Sequence, residues 1–405
     1  MTGGRAALVL GSGGARAAYE VGVARFLFEE LHAALGKPPD LGILCGTSAG
    51  ALNASALAAF ARRPLEGVAL LARRWTEMRL DHMVRIDRCE VLRLVRALLG
   101  HPSARATGSL LDPRPLQHLA HDAVPFARIE ESLADGSLEA LALGTTEVAT
   151  GRNRVFVRRR GRGPLDPSMV EVRAGDLRPE HALASAAIPL LFPAVDLEGA
   201  LYCDGSLRQS VPLSPAQHLG ADRIVAVTTQ HVSPEVSPRL AQARARSTGS
   251  PVYALGKVLN ALHLDRMDED LDRLELVNDL LAAGQRAFGG DFLERLNREL
   301  RPRGRTVRPL RTVVVRPSES LGRLAADYVN GRDFRRRSGP TAAAFLRLAE
   351  AEAEHEADLV SYLLFDGPFA QQLIELGHSD ARAAGDRLGE LFEAGHPDGA
   401  RAEAR

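Results

Sequence analysis

The chain has 405 residues, 45% of them hydrophobic, which is enough to bury a sizeable core in one large α/β domain or two average ones. Basic and acidic residues balance at 51 each, so no global field recruits nucleic acid or an anionic membrane, and any basic patch must be local. Cys45, Cys89 and Cys203 are odd in number and lack C-x-x-C spacing, which speaks against a disulfide framework or a zinc site and for a reducing compartment. Residues 1–10 enter a strand-like segment without a charged leader or cleavage site, and no window approaches 18 uninterrupted apolar residues. The expectation is a soluble, cytoplasmic protein that touches membranes at most from the surface.

In chain order, residues 6–10 form an apolar strand of the buried, parallel kind. It ends in Gly11-Ser12-Gly13-Gly14-Ala15-Arg16, and an amphipathic helix over residues 17–35 follows. A glycine-rich strand-to-helix turn aims unpaired backbone N–H groups at one point and so makes an anion hole. Such a hole serves either a dinucleotide phosphate or the oxyanion of acyl transfer. The nucleotide pattern requires a third glycine where Arg16 stands, and an acid closing a second strand, which is missing. Arg16 itself, a cation in the first helical turn, opposes the helix dipole and predicts an anion beside it.

The second strand, Ile43-Leu44-Cys45, runs into Gly46-Thr47-Ser48-Ala49-Gly50 and a helix over residues 49–61. A Gly-x-Ser-x-Gly bend between strand and helix holds the serine in a strained conformation with its hydroxyl exposed; Gly46 and Gly50 are small because side chains there would collide. The competing reading of Ser48 is a plain helix N-cap.

Residues 62–102 read as helical with an apolar stripe that includes Trp75 and Met78. A stripe of this kind is more often core than a lid over a site. A further helical stretch begins at Asp112. Residues 140–146 and 154–157 are two strands joined by a polar turn, and residues 182–188 form a helix stopped by Pro189. Residues 200–203 are a short strand that delivers Asp204, followed by Gly205, to the mouth of the sheet; the bland reading is an Asp-Gly turn. After a helix start near Pro212, residues 223–229 and 310–315 are further buried strands. Residues 234–251 read as a surface loop, 253–300 and 340–393 as largely helical, and 395–405 as a frayed tail. The alternation of strand and helix predicts an α/β fold around a mainly parallel sheet.

The pair Leu8-Val9-Leu10-Gly11-Ser12-Gly13-Gly14-Ala15-Arg16 and Gly46-Thr47-Ser48-Ala49-Gly50 resembles the patatin-like phospholipase family. The resemblance covers residues 5–235 with specific motifs and the rest loosely. It implies a three-layer α/β sandwich and a helical C-terminal region, to which residues 361–368 also correspond. It implies lipid acyl-ester hydrolysis by a Ser48-Asp204 dyad, of phospholipase A or lysophospholipase type, with Gly13, Gly14, Ala15 and Arg16 at the oxyanion hole. Two positions depart from the family pattern: Ala17 stands for glycine, and Ser206 follows Asp204-Gly205 in place of glycine or alanine.

The implied organisation is a catalytic core over 1–235 with a helical insertion near 62–135, a helical extension over 236–325 that returns a last strand, and a helical region over 326–405. No cofactor or metal is expected; no acid or histidine cluster has the spacing of a calcium or zinc site. The expected partner is a lipid or lysolipid acyl ester, with no nucleic acid, and oligomeric state is left open. Alternatives are a full triad using His218, His231 or His263, an acyltransferase or thioesterase with the same dyad, and a non-catalytic lipid-binding protein of the same fold.

Overall fold

The computed structural model describes residues 5–80, 124–161, 165–189, 191–232, 267–303, 306–337 and 357–393, with residues 114, 117, 120 and 121. Its strands are β1 (Ala6–Leu10), β2 (Ile43–Thr47), β3 (Ala140–Glu147), β4 (Asn153–Arg159), β5 (Met169–Glu171), β6 (Val195–Leu197), β7 (Ala200–Asp204), β8 (Arg223–Val227) and β9 (Arg311–Val315). The N-terminal helices are α1 (Ala18–Phe26), α2 (Ala49–Ala59), α3 (Pro64–Thr76) and α4 (Ala127–Asp135). Next come α5 (Pro179–Ser185), α6 (Leu213–His218), α7 (Met267–Phe288) and α8 (Phe292–Leu300). The C-terminal helices are α9 (Leu321–Asn330), α10 (Arg332–Arg337), α11 (Asp358–Leu363), α12 (Gly367–Ala383) and α13 (Gly385–Glu393).

The strands form one nine-stranded sheet in the order β5-β4-β3-β2-β1-β8-β9, with β7 on β3 and β6 on β7. The five strands β3, β2, β1, β8 and β9 run parallel, whereas β4 and β7 run antiparallel to β3. This is a mainly parallel α/β architecture with a helical C-terminal region. Parallel strands need cover on both faces, and the residues supply it: Leu8, Leu10, Leu44 and Val225 enter one apolar core, Val9, Ile43, Cys45 and Ile224 the other. Burying one such aliphatic side chain contributes about 1.5–3 kcal/mol.

The first core continues into the C-terminal helices, and α12 lies along α1. Glycine permits that contact: a Cβ at Gly22 would lie 2.0 Å from the Ile374 carbonyl oxygen, and one at Gly377 would lie 2.1 Å from that of Tyr19. The single helix expected over 17–35 is broken into a 3-10 turn (Gly14–Ala17), α1, a π-turn (Leu27–Leu31) and a last helical turn (His32–Leu35). The extra residue of a π-turn rotates the apolar stripe, so Leu27, Phe28 and Leu31 all stay buried. The short β5 and β6 were not foreseen, because three residues show no period. The helix expected over 340–393 is interrupted at residues 364–366 between α11 and α12. The expectations for residues 81–113, 233–266, 340–356 and 394–405 lie outside the described residues.

Candidate active site

Leu10 and Gly46 are paired across β1 and β2, so the glycine-rich turn and Ser48 leave neighbouring strands at one level, about 4.8 Å apart in the sheet. This is the carboxyl end of the parallel strands, where α/β sheets place their ligands. Ser48 has φ +58°, a left-handed conformation rare for a residue with a side chain. A Cβ at Gly46 would lie 2.3 Å from the Gly50 carbonyl oxygen, and one at Gly50 would lie 2.3 Å from that of Gly11. Both elbow positions therefore exclude any side chain. Although Ser48 sits at the N-cap of α2, its hydroxyl makes no capping bond.

That hydroxyl instead donates to Asp204 Oδ2 at 2.7 Å. Ser48 is 2% exposed and Asp204 fully buried. Asp204 is held from three sides: its N–H donates to the Ala187 carbonyl, its own carbonyl accepts from Thr146 Oγ1, and its Oδ1 accepts from the Ser206 N–H at 2.8 Å. Because the backbone of Ser206 supplies that bond, a serine there preserves the carboxylate's support. Burial raises the Asp204 pKa from 3.8 to about 6, against the hydrogen bonds from Ser48 and Ser206, which lower it. A carboxylate poised near neutrality within reach of a hydroxyl can act as its general base.

In the glycine-rich turn, the Gly11 N–H donates to the Val227 carbonyl, and the Ser12 N–H donates to that of Ser210. The Arg16 N–H donates to the Gly13 carbonyl. Gly13, Gly14 and Ala15 open the 3-10 turn, where N–H groups have no partner within the turn; among the described residues no bond from them is found. Gly14 has φ +54°, and a Cβ there would lie 2.5 Å from the Tyr362 carbonyl oxygen. The methyl of Ala17 is fully buried beneath this turn.

Arg16 departs from expectation. Its N–H is used within the turn, and its guanidinium is turned away into the protein, donating from Nε to Ser361 Oγ at 2.7 Å and pairing with Asp358 at 3.0 Å. It also lies 3.9 Å over the Tyr362 ring. The anion predicted beside Arg16 is thus Asp358 on α11, and Arg16 is a tie between the loop and the C-terminal helices rather than a donor to an oxyanion.

A narrow, almost wholly apolar pocket opens beside Ser48; its walls include Leu52, Leu71, Trp75, Met78, Phe192 and Phe365. Trp75 and Met78 are therefore both buried and part of the cavity wall, so the choice between core and wall does not divide them. Three features went unforeseen. Ser185 Oγ accepts from the Ser48 N–H at 2.9 Å and donates to the Gly144 carbonyl at 2.5 Å. Asn53 donates to Glu20 Oε2 and to the Ala17 carbonyl, and its Oδ1 accepts from Trp75 Nε1. Burial pushes the Glu20 pKa well above the usual carboxylate range. A polar residue inside an apolar helix is the signal that marks Asn53 and Glu20.

Of the histidines weighed for a triad, His218 faces Asp166, His231 Nδ1 lies 2.9 Å from the Pro317 carbonyl, and His263 lies outside the described residues. Among the described residues no histidine bonds to Asp204. There, too, no group of acids, histidines and cysteines could hold a metal ion, and no helix is long and apolar enough to cross a membrane. The patatin-like phospholipase family model matches residues 8–216. No curated protein matches the chain. Among solved structures it is similar to the crystal structure of VipD from Legionella pneumophila, at 13% identity and a TM-score of 0.35, covering 95% of this chain and 67% of that one.

Proposed function

The chain belongs to the patatin-like phospholipase family, whose members are in general lipid acyl hydrolases, and from that premise we propose that it cleaves lipid acyl esters with Ser48 as nucleophile and Asp204 as base. The observation that carries this reading is the 2.7 Å hydrogen bond from a strained, buried serine to a carboxylate 156 residues away in sequence. A serine hydroxyl is a weak nucleophile until a base takes its proton. Asp204 takes it as Ser48 Oγ attacks the ester carbonyl.

The developing oxyanion receives N–H bonds from Gly13 and Gly14, which need no reorganisation because the turn already holds them. When the tetrahedral adduct collapses, the carbon–oxygen bond to the alcohol breaks and Asp204 returns the proton to that oxygen. Water deprotonated by the same carboxylate then attacks the acyl-enzyme and releases the fatty acid and Ser48. The apolar walls of the pocket beside Ser48 suit contact with an acyl chain, which accords with a phospholipase A or lysophospholipase activity. No cofactor or metal enters these steps.

The test is turnover of p-nitrophenyl acyl esters by the wild type, Ser48→Ala and Asp204→Asn. Both variants are expected to fall to background while keeping the wild-type circular dichroism. Retained turnover in either overturns the dyad. Analysis of products with water and with added alcohols separates hydrolysis from acyl transfer.

A further inference from the structure

A second concave surface lies at the same end of the sheet as Ser48. β3 leaves the sheet at that end and turns back through residues 148–152 into β4. Arg152 and Arg154 stand at the turn and first residues of β4, and Arg208 follows Asp204 by four positions; together with Ser168 they line one cleft. Thr145 of β3 is in register with Arg154 on one side and Asp204 on the other. The two backbones are thus two strand spacings apart, about 10 Å.

The cleft is built around its guanidinium groups. Arg208 Nε donates to the Gly151 carbonyl, and Gly151 adopts φ +63°, where a Cβ would lie 3.1 Å from Arg208 Nη2. A Cβ at 151 would crowd the guanidinium by a few tenths of an ångström, on a backbone whose positive φ already favours glycine. Arg154 donates to the Pro167 carbonyl at 3.2 Å and approaches Glu147 at 3.7 Å. Asp166, the other acid at this edge, is taken up by Ser168 and faces His218. The Arg152 side chain makes no ion pair among the described residues. Of the three guanidinium groups, only that of Arg154 meets a carboxylate, Glu147, at ion-pair distance among the described residues, in a chain whose overall charge is zero.

We propose that Arg152, Arg154 and Arg208 form a subsite for the phosphate group of a lipid whose acyl ester is presented to Ser48. This rests on the esterase reading above. A planar guanidinium offers paired donors that match phosphate oxygens, and the apolar pocket beside Ser48 takes the chain. The substrate then lies across the rim, its chain by Trp75 and its charged head by β4.

The experiment compares a neutral monoacylglycerol with its phosphate monoester of the same chain length, using wild type, Arg152→Gln and Arg152→Gln/Arg208→Gln. Loss of one phosphate contact is expected to lower kcat/KM for the phosphate ester about tenfold, and loss of two by more, with the neutral ester within about twofold. Equal changes on both esters, or none, overturn the assignment. Because Arg208 also braces the turn, the single Arg152→Gln variant decides if the double variant unfolds.

A second arm measures binding of Ser48→Ala, with and without Arg152→Gln, to inorganic phosphate and to phosphatidylcholine vesicles with or without phosphatidic acid. An Arg152-dependent preference for phosphatidic acid supports the subsite even if the wild type turns over no ester, an outcome that ends the esterase reading alone. Arg152-dependent binding of inorganic phosphate without that preference overturns the lipid assignment.

Discussion

Asp204 is costly to the fold, and the size of that cost can be worked from the site. Its pKa rises from 3.8 to about 6 on folding because the charged carboxylate is fully buried. At 1.36 kcal/mol per unit, that rise corresponds to about 3 kcal/mol. The folded pKa lies above the unfolded one, so the folded state binds more protons between the two values. Stability is therefore full below about pH 3.8, falls as pH rises through about 6, and is flat beyond.

Asp204→Asn removes the titration while keeping an oxygen for the Ser206 N–H and an amide facing Ser48. Relative to wild type, the variant is expected to gain less than about 1 kcal/mol at pH 4 and about 3 kcal/mol at pH 7.5. For a chain of 405 residues unfolding as a unit, 3 kcal/mol is about 3–4 °C in Tm. Thermal melts of both proteins across that pH range measure the gap. The same substitution deprives Ser48 of its base and lowers kcat by about 10²–10⁴. A gap that does not widen with pH, or a variant less stable than wild type at pH 7.5, refutes the argument that desolvation of this carboxylate sets its pKa.

The same titration predicts that log kcat/KM rises with unit slope and levels off above an apparent pKa of about 6, as Asp204 loses the proton that disables it as a base; a stopped-flow or steady-state pH profile reads this. Ser185→Ala strips the buried Ser48 N–H of its acceptor, which costs about 1–3 kcal/mol in denaturant titration and lowers kcat more than it changes KM. Gly14→Ala forces a Cβ to within 2.5 Å of the Tyr362 carbonyl at a positive φ, so turnover falls by about 10² while the far-UV spectrum is kept. Arg16→Ala leaves Asp358 largely buried without its cation, and unfolding free energy drops by about 3–5 kcal/mol.

The parts of this molecule that were legible in the sequence are those in which the backbone itself selects the residue type. Gly46 and Gly50 are readable because carbonyl oxygens stand where their side chains would be, and Ser48 because a strained bend between strand and helix leaves few residues a use. Asp204 was readable only in combination with them, since an acid before a glycine closes many ordinary turns. Arg16 shows the limit from the other side. The helix dipole correctly demanded an anion, yet local chemistry does not say which; the anion is 342 residues away on α11, and the guanidinium turned towards it rather than towards the site.

Ser185, Asn53 and Glu20 were missed for the same reason, because each acts through a partner brought in by tertiary packing. A hydroxyl in an alanine-rich helix carries no mark of the N–H it will accept. The consequence is a division of labour along the chain. Motifs before residue 216 contain the proposed reacting groups and match the family model. The glycine-rich turn that would stabilise the oxyanion is nevertheless pressed into shape by Tyr362 and tied by Arg16 to Asp358. The geometry of the chemistry therefore depends on a C-terminal segment that contains none of it.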